Sequence, residues 1–217
     1  MGKLTARAIV ERALEIGDAE GLDAVTIRRL AADLDVTPMA LYWHFKNKDR
    51  LLVGMADHLV AGFAPAPADD RSWERRLRDL VEGLIRVLRG HPCARQVLEQ
   101  VDQSEVPGFL AVWDQALGLC RAAGFSVEES CMISKYLLQS AVAIADAPMH
   151  FDAGRTPAEI DEIVRRKRLG LESLSADAYP NLVAMAGPMA GSMDPALYDS
   201  FGVDLVLSGI EALAARR

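Results

Sequence analysis

The stretch Thr26–Lys48, reading T-I-R-R-L-A-A-D-L-D-V-T-P-M-A-L-Y-W-H-F-K-N-K, restricts the possible folds of this chain more than any other. Thr26 is a natural N-cap, and Ile27, Leu30, Ala31 and Leu34 recur at helical spacing to give one apolar face. Asp35-Val36 interrupts that run. Thr37-Pro38 restarts it with a capping hydroxyl followed by proline at the first helical position. Two short helices joined by so tight a turn make a helix-turn-helix, whose second helix fits the major groove of DNA. The pattern predicts a chain that reads DNA.

Flanking residues extend the pattern. A-L-E at Ala13–Glu15, G-L at Gly21-Leu22, T-I-R-R-L-A at Thr26–Ala31 and L-Y-W-H-F-K-N-K-D-R-L-L at Leu41–Leu52 together resemble the DNA-binding domain of the TetR family of bacterial transcriptional regulators. The resemblance spans Thr5–Met55 and is close to the tetracycline-repressor branch. One departure is Asp35, where the family usually has glycine; aspartate tolerates left-handed backbone better than most residues. More loosely, the C-terminal half resembles the tetracycline-repressor-like C-terminal domain. The matching pieces are G-H-P at Gly90–Pro92, A-A-G-F-S at Ala122–Ser126, Y-P-N-L at Tyr179–Leu182 and the run Phe201–Leu213. The resemblance implies an all-α chain. A three-helix helix-turn-helix domain, residues 1–63, is joined by a linking helix to a larger helical domain, 64–217, that binds an effector and dimerises.

Composition fits a helical, globular protein. About half the residues are apolar. No apolar run approaches the roughly 20 residues that span a bilayer, and the N-terminus has no apolar core of a secretion signal. Cys93, Cys120 and Cys131 are odd in number and form no C-x-x-C pair, which favours reduced thiols and a cytoplasmic protein. They read as small buried apolar residues. The net charge of −7 is unevenly spread: residues 1–63 carry 8 Lys/Arg against 9 Asp/Glu, and the remainder 16 against 22. Within Thr26–Arg50 five basic residues face three acidic ones. Local positive charge governs contact with phosphate, so an acidic body discourages indiscriminate binding without preventing specific recognition.

The periodicity is helical throughout, without a convincing strand. A first helix runs from a Thr5 cap to about Ala19, and Gly21 ends it. Asn47 caps a fourth helix, and A-P-A-P-A-D-D at Ala64–Asp70 marks a boundary. Further helices are expected from Ser72 to Gly90, near Cys93–Gln100, from Pro107 to Ala123, and from a Ser126 capping box to about Ala147. T-P-A-E at Thr156 starts another, Pro180 and Pro188 bracket a short irregular one, and Pro195 opens the last.

In the recognition helix, Leu41 and Phe45 face the domain core, leaving Thr37, Pro38, Met39, Ala40, Tyr42, Trp43 and His44 outward. The hydroxyls of Thr37 and Tyr42, with His44, suit phosphate oxygens, and Met39 and Ala40 suit thymine methyls. Arg28 has the fork geometry for a guanine edge or a phosphate. Lys48 opens the fourth helix, where the dipole favours an anion. The resemblance implies DNA contact for Thr26, Arg28, Pro38, Tyr42, Trp43, His44 and Lys48. Arg29 and Lys46 read as a solvated face.

For the body, Phe109, Trp113, Met132, Tyr136, Gln139, Met149 and His150 are the candidate effector-pocket residues, mixing aromatic, soft and polar groups. Tetracycline does not fit: the family holds it as a magnesium chelate through histidines, and Phe63–Ala64 and Gln100 supply none. No metal and no cofactor is expected, His58 and His150 being isolated in sequence. The final helix has one stripe of Leu197, Phe201, Leu205, Ser208 and Ala212 and another of Val206, Ile210 and Leu213. A helix apolar on two sides buries one inward and one against a partner. Phe201, Leu205, Ser208, Gly209 and Ala212, with Ile133, Leu137 and Ile144 of the helix from Ser126, are the expected homodimer interface. Two-fold pairing would set the reading heads one DNA turn apart, about 34–36 Å.

An enzyme using Cys120 or Cys131 with His91 or His150 has no supporting local signature. A helical ligand-binding or protein-interaction module that lost DNA binding is the alternative, motivated by the acidic balance and Asp35. The intact recognition block favours a ligand-responsive repressor of a palindromic operator, with double-stranded DNA and a small-molecule effector as partners and no membrane.

Overall fold

The computed structural model describes residues 4–63, 70–146, 155–191 and 193–217. Among these residues the secondary structure is twelve α-helices and two short 3-10 turns, with no strand. The head comprises α1 (Ala6–Glu20), α2 (Ile27–Asp33), α3 (Pro38–Tyr42) and α4 (Lys48–Ala61). Each begins at a side chain that accepts a backbone N–H two or three residues into the helix: Thr5, Thr26, Thr37 and Asn47. The body follows with α5 (Trp73–Gly90), α6 (Ala94–Gln100), α7 (Pro107–Ala122), α8 (Val127–Asp146), α9 (Pro157–Glu172), α10 (Pro180–Ala184), α11 (Ala186–Ala190) and α12 (Pro195–Ala214).

The turn between α2 and α3 is a Schellman motif. Val36 N–H donates to Ala31 O at 2.9 Å and Asp35 N–H to Ala32 O at 3.3 Å, with Asp35 at φ 52°. Among the described residues it is the one non-glycine with positive φ. Gly124 at φ 89° ends α7 in the same way, turning the buried Phe125 inward. The Ser126 capping box is present: Ser126 N–H donates to Glu129 Oε2 at 2.8 Å, and Glu129 N–H donates to Ser126 Oγ at 3.2 Å. Thr156 and Glu159 form a second one. The expected single helix between Pro180 and Pro188 is instead two, α10 and α11, hinged at Met185, with Pro188 inside the second.

The chain packs as two compact units, Met1–Ala145 with Val203–Arg217, and Asp146–Gly202. In the second, α9 packs on α10 and α11. Packing in the first does not break at residue 63. One core joins Ile9, Ala13 and Ile16 of α1 and Leu51, Met55 and Leu59 of α4 to Cys93, Ala94, Val97 and Leu98 around α6. The expected linker at 64–70 lies outside the described residues except for Asp70.

Candidate DNA-reading surface and ligand cavity

Leu41 anchors α3 from beneath, fully buried, and Phe45 packs partly buried against the same core. That anchoring leaves the opposite face bare. Trp43 is 85% exposed and Met39 67%; Tyr42, His44, Pro38, Thr37, Thr26 and Arg28 are exposed as well, while Ala40 and Lys48 are partly so. Large apolar side chains left in water on a short, well-anchored helix are unusual unless something covers them.

Charge pairing sorts the head's cations. Arg29 is held by Glu20 at 2.8 Å and by Asp33 at 3.1 Å, and Arg12 reaches Asp33 at 2.7 Å. Arg50 meets Glu105 at 2.9 Å. Arg12, and after it Arg29, hold the Asp33 carboxyl below the usual aspartate range. Arg28, Lys46 and Lys48 make no ion pair among the described residues. Arg29, read from sequence as a solvated cation, is instead a structural clasp between α1 and α2. Among the described residues, the lysines and arginines of the head left to meet phosphate are Arg28, Lys46 and Lys48.

Behind the head, α5, α6, α7 and α8 line an apolar cavity of about 230 Å³. From α5 come Leu77, Leu80, Val81 and Leu84; from α7, Phe109, Val112, Trp113 and Ala116; from α8, Ser134, Lys135, Leu137 and Leu138. Phe63, Leu98 and Gln103 complete it. Phe109 and Trp113 meet edge to face, centroids 5.8 Å apart. The Trp113 indole N–H donates to Ser134 Oγ at 3.2 Å, so the largest ring of the wall is fixed in place.

Two of the expected pocket residues, Phe109 and Trp113, line this cavity. Met132, Tyr136 and Gln139 do not: they occupy the exposed face of α8, with Tyr136 67% accessible. Met149 and His150 lie outside the described residues. The reason is the rotation of α8. Its Ile133, Leu137, Ala141 and Ile144 row packs inward, and Leu137 lines the cavity. Ile133, Leu137 and Ile144 are therefore buried within the protomer rather than displayed for a partner. On α12 the inward row is Val203, Leu207 and Ile210, not Val206, Ile210 and Leu213; Phe201, Leu205, Ser208, Gly209 and Ala212 are exposed. Phe201 and Leu205 are 66% and 68% accessible. The α5 wall went unassigned in sequence, although its Leu77, Leu80, Val81 and Leu84 spacing marks one helical face.

The Cys93 and Cys120 thiols are buried and poor nucleophiles where they lie; Cys131, expected to be buried as well, is only partly so. Burial, reinforced by Asp18, pushes the Cys93 thiol up to about 12, and burial raises Cys120. Asp18 also accepts from Cys93 N–H at 3.0 Å and contacts His91 Nδ1 at 2.7 Å, tying α1 to the start of α6. Among the described residues no group of three or more His, Cys, Asp or Glu is placed to hold a metal, and no helix is long and apolar enough to cross a membrane.

A capped two-helix reader with a bare outer face, leading an all-helical body, defines a helix-turn-helix DNA-binding regulator. Residues 9–55 match the family of bacterial regulatory proteins called tetR, and residues 65–214 match the tetracyclin repressor-like C-terminal domain. The chain belongs to the TetR family. It is 28% identical over 234 residues to the HTH-type transcriptional repressor DrrR1 of Streptomyces coeruleorubidus, covering 99% of this chain and 80% of that one. The Escherichia coli tetracycline repressor protein class C is 40% identical over 80 residues, 36% of each chain. Among solved structures, apo ActR from Streptomyces coelicolor superposes with a TM-score of 0.76 at 28% identity, covering 100% of this chain and 99% of ActR. ActR in complex with actinorhodin gives 0.75 at 28%, covering 98% and 99%.

Proposed function

We propose that this chain is a cytoplasmic transcriptional repressor that binds a palindromic operator as a homodimer and releases it when a small molecule fills the cavity. Thr26, Arg28, Thr37, Pro38, Met39, Ala40, Tyr42, Trp43, His44 and Lys48 form the reading surface. Arg28 and Lys48 supply charge, and Met39 and Ala40 supply apolar contact to bases. The outward stripe of α12 pairs with its copy, joined by the outward Met132 and Tyr136 of α8. Support comes from DrrR1, which is named a repressor, and from ActR, which is solved with actinorhodin.

The observation that carries the reading is the double allegiance of α6. Cys93 at its N-cap, then Ala94 and Val97, pack into the head's core, while Leu98 belongs both to that core and to the cavity wall. A ligand pressing on Leu98 therefore pushes on an element that α4 rests against. Tilting α4 changes the spacing of the two reading heads, and the ligand shifts the population by its preference for the DNA-incompetent state. The test is a small-molecule screen against protein bound to its selected duplex. Molecules that seat in the cavity, recognised by binding that Ala116→Trp weakens, should release the DNA. A molecule that seats there and leaves operator affinity unchanged contradicts the mechanism.

A further inference from the structure

A second cavity, of about 290 Å³, opens on the other face of α5. Phe63 and Leu80 line both cavities and so form the partition between them. Phe63 rests directly on Gly83: a methyl group there would stand 2.8 Å from Phe63 Cβ, closer than any side chain tolerates. The two compartments differ sharply in chemistry. The first is almost wholly apolar, whereas arginine, acid and amide groups line the second.

The acids of the second compartment are already answered. Asp79 pairs with Arg71 and lies 3.6 Å from Arg75, and Glu82 lies 3.5 Å from Arg78. Arg76 and Arg86 make no ion pair among the described residues. Ten residues of helix separate them by about 15 Å, so one anion contacts one guanidinium and feels the field of the other. Across from them Gln115 of α7 has its Oε1 buried without a hydrogen-bond partner. Buried polar atoms are seldom left unmatched, and one that lines a cavity beside unpaired cations marks a place for a polar guest.

We propose that the two cavities are one bipartite site for an amphipathic effector. Its ring or hydrocarbon body fills the apolar compartment, and past Phe63 an anionic group, carboxylate or sulfonate, meets Arg76 or Arg86. A hydroxyl on the guest, or a water it traps, donates to Gln115 Oε1. The inference rests on the apolar cavity being the effector site, and it adds the chemical class of the effector.

A matched pair of fluorescent probes tests it on the full chain: anilinonaphthalene sulfonate, and the neutral phenylnaphthylamine with the same apolar body. Wild type should bind the sulfonate about tenfold more tightly than the neutral probe, and added salt should narrow the gap. The Arg76→Gln/Arg86→Gln double variant should lose the preference and keep its affinity for the neutral probe. Equal affinities in wild type, or a preference that survives in the double variant, overturn the bipartite site while leaving the apolar cavity intact. Ala116→Trp, with the milder Ala116→Leu as a check on folding, should weaken both probes. If neither substitution affects either probe, or neither probe binds wild type, the effector cavity itself is contradicted and the inference falls with it.

Discussion

At Asp35 the backbone turns through φ 52°, and the Schellman bonds of Ala31 and Ala32 depend on that turn. Aspartate bears the left-handed conformation at a cost that glycine does not pay. Asp35→Gly is expected to raise stability by about 0.5 kcal/mol, and Asp35→Val to lower it by about 1–2 kcal/mol, in chemical denaturation. The reading surface makes its own prediction. Lys48→Ala should weaken binding almost uniformly across DNA sequences and reduce the salt slope by about 1. Tyr42→Ala should weaken it too, with folding intact, because Leu41 and not Tyr42 anchors α3. Unchanged affinity in both variants, measured by fluorescence anisotropy on one duplex, removes the assignment.

Between elements, the head is held by burial and by the clasp of Arg12 and Arg29 on Asp33. A carboxyl whose value is lower folded than unfolded contributes fully above the unfolded value and loses its contribution as the pH falls through the folded one. Stability should therefore decline as acid titrates Asp33 below about pH 4. Asp33→Asn should lower Tm near neutrality and flatten that part of the profile of Tm against pH. Element starts were legible in sequence because they are local: Thr26, Thr37, Asn47, Ser126 and Thr156 carry their caps within three residues. The facing of α8 was not. Ile133, Leu137 and Ile144 on one row and Met132 and Tyr136 on another are both rich enough in apolar surface to be buried. Packing against the rest of the body decides between them, and no local pattern encodes that choice.

Across the whole molecule, the head and the cavity are linked by one core through α6, and the proposed pairing uses the surfaces which that core leaves uncovered. Leu205→Glu is expected to leave a folded monomer in sedimentation experiments. An unpaired charge in a pairing surface should weaken association a hundredfold or more, about 3 kcal/mol. The same variant should lose most of its affinity for a palindrome, since each head alone makes only half the contacts. The proposed function has α3 reading DNA in a two-fold pair. Its most direct test is selection of duplex DNA from a random pool by the purified chain, at moderate and at higher salt. Enrichment of one palindrome, with half-sites centred about one helical turn apart, is the predicted result. Recovery of unenriched DNA, or of none, from a folded protein would contradict it.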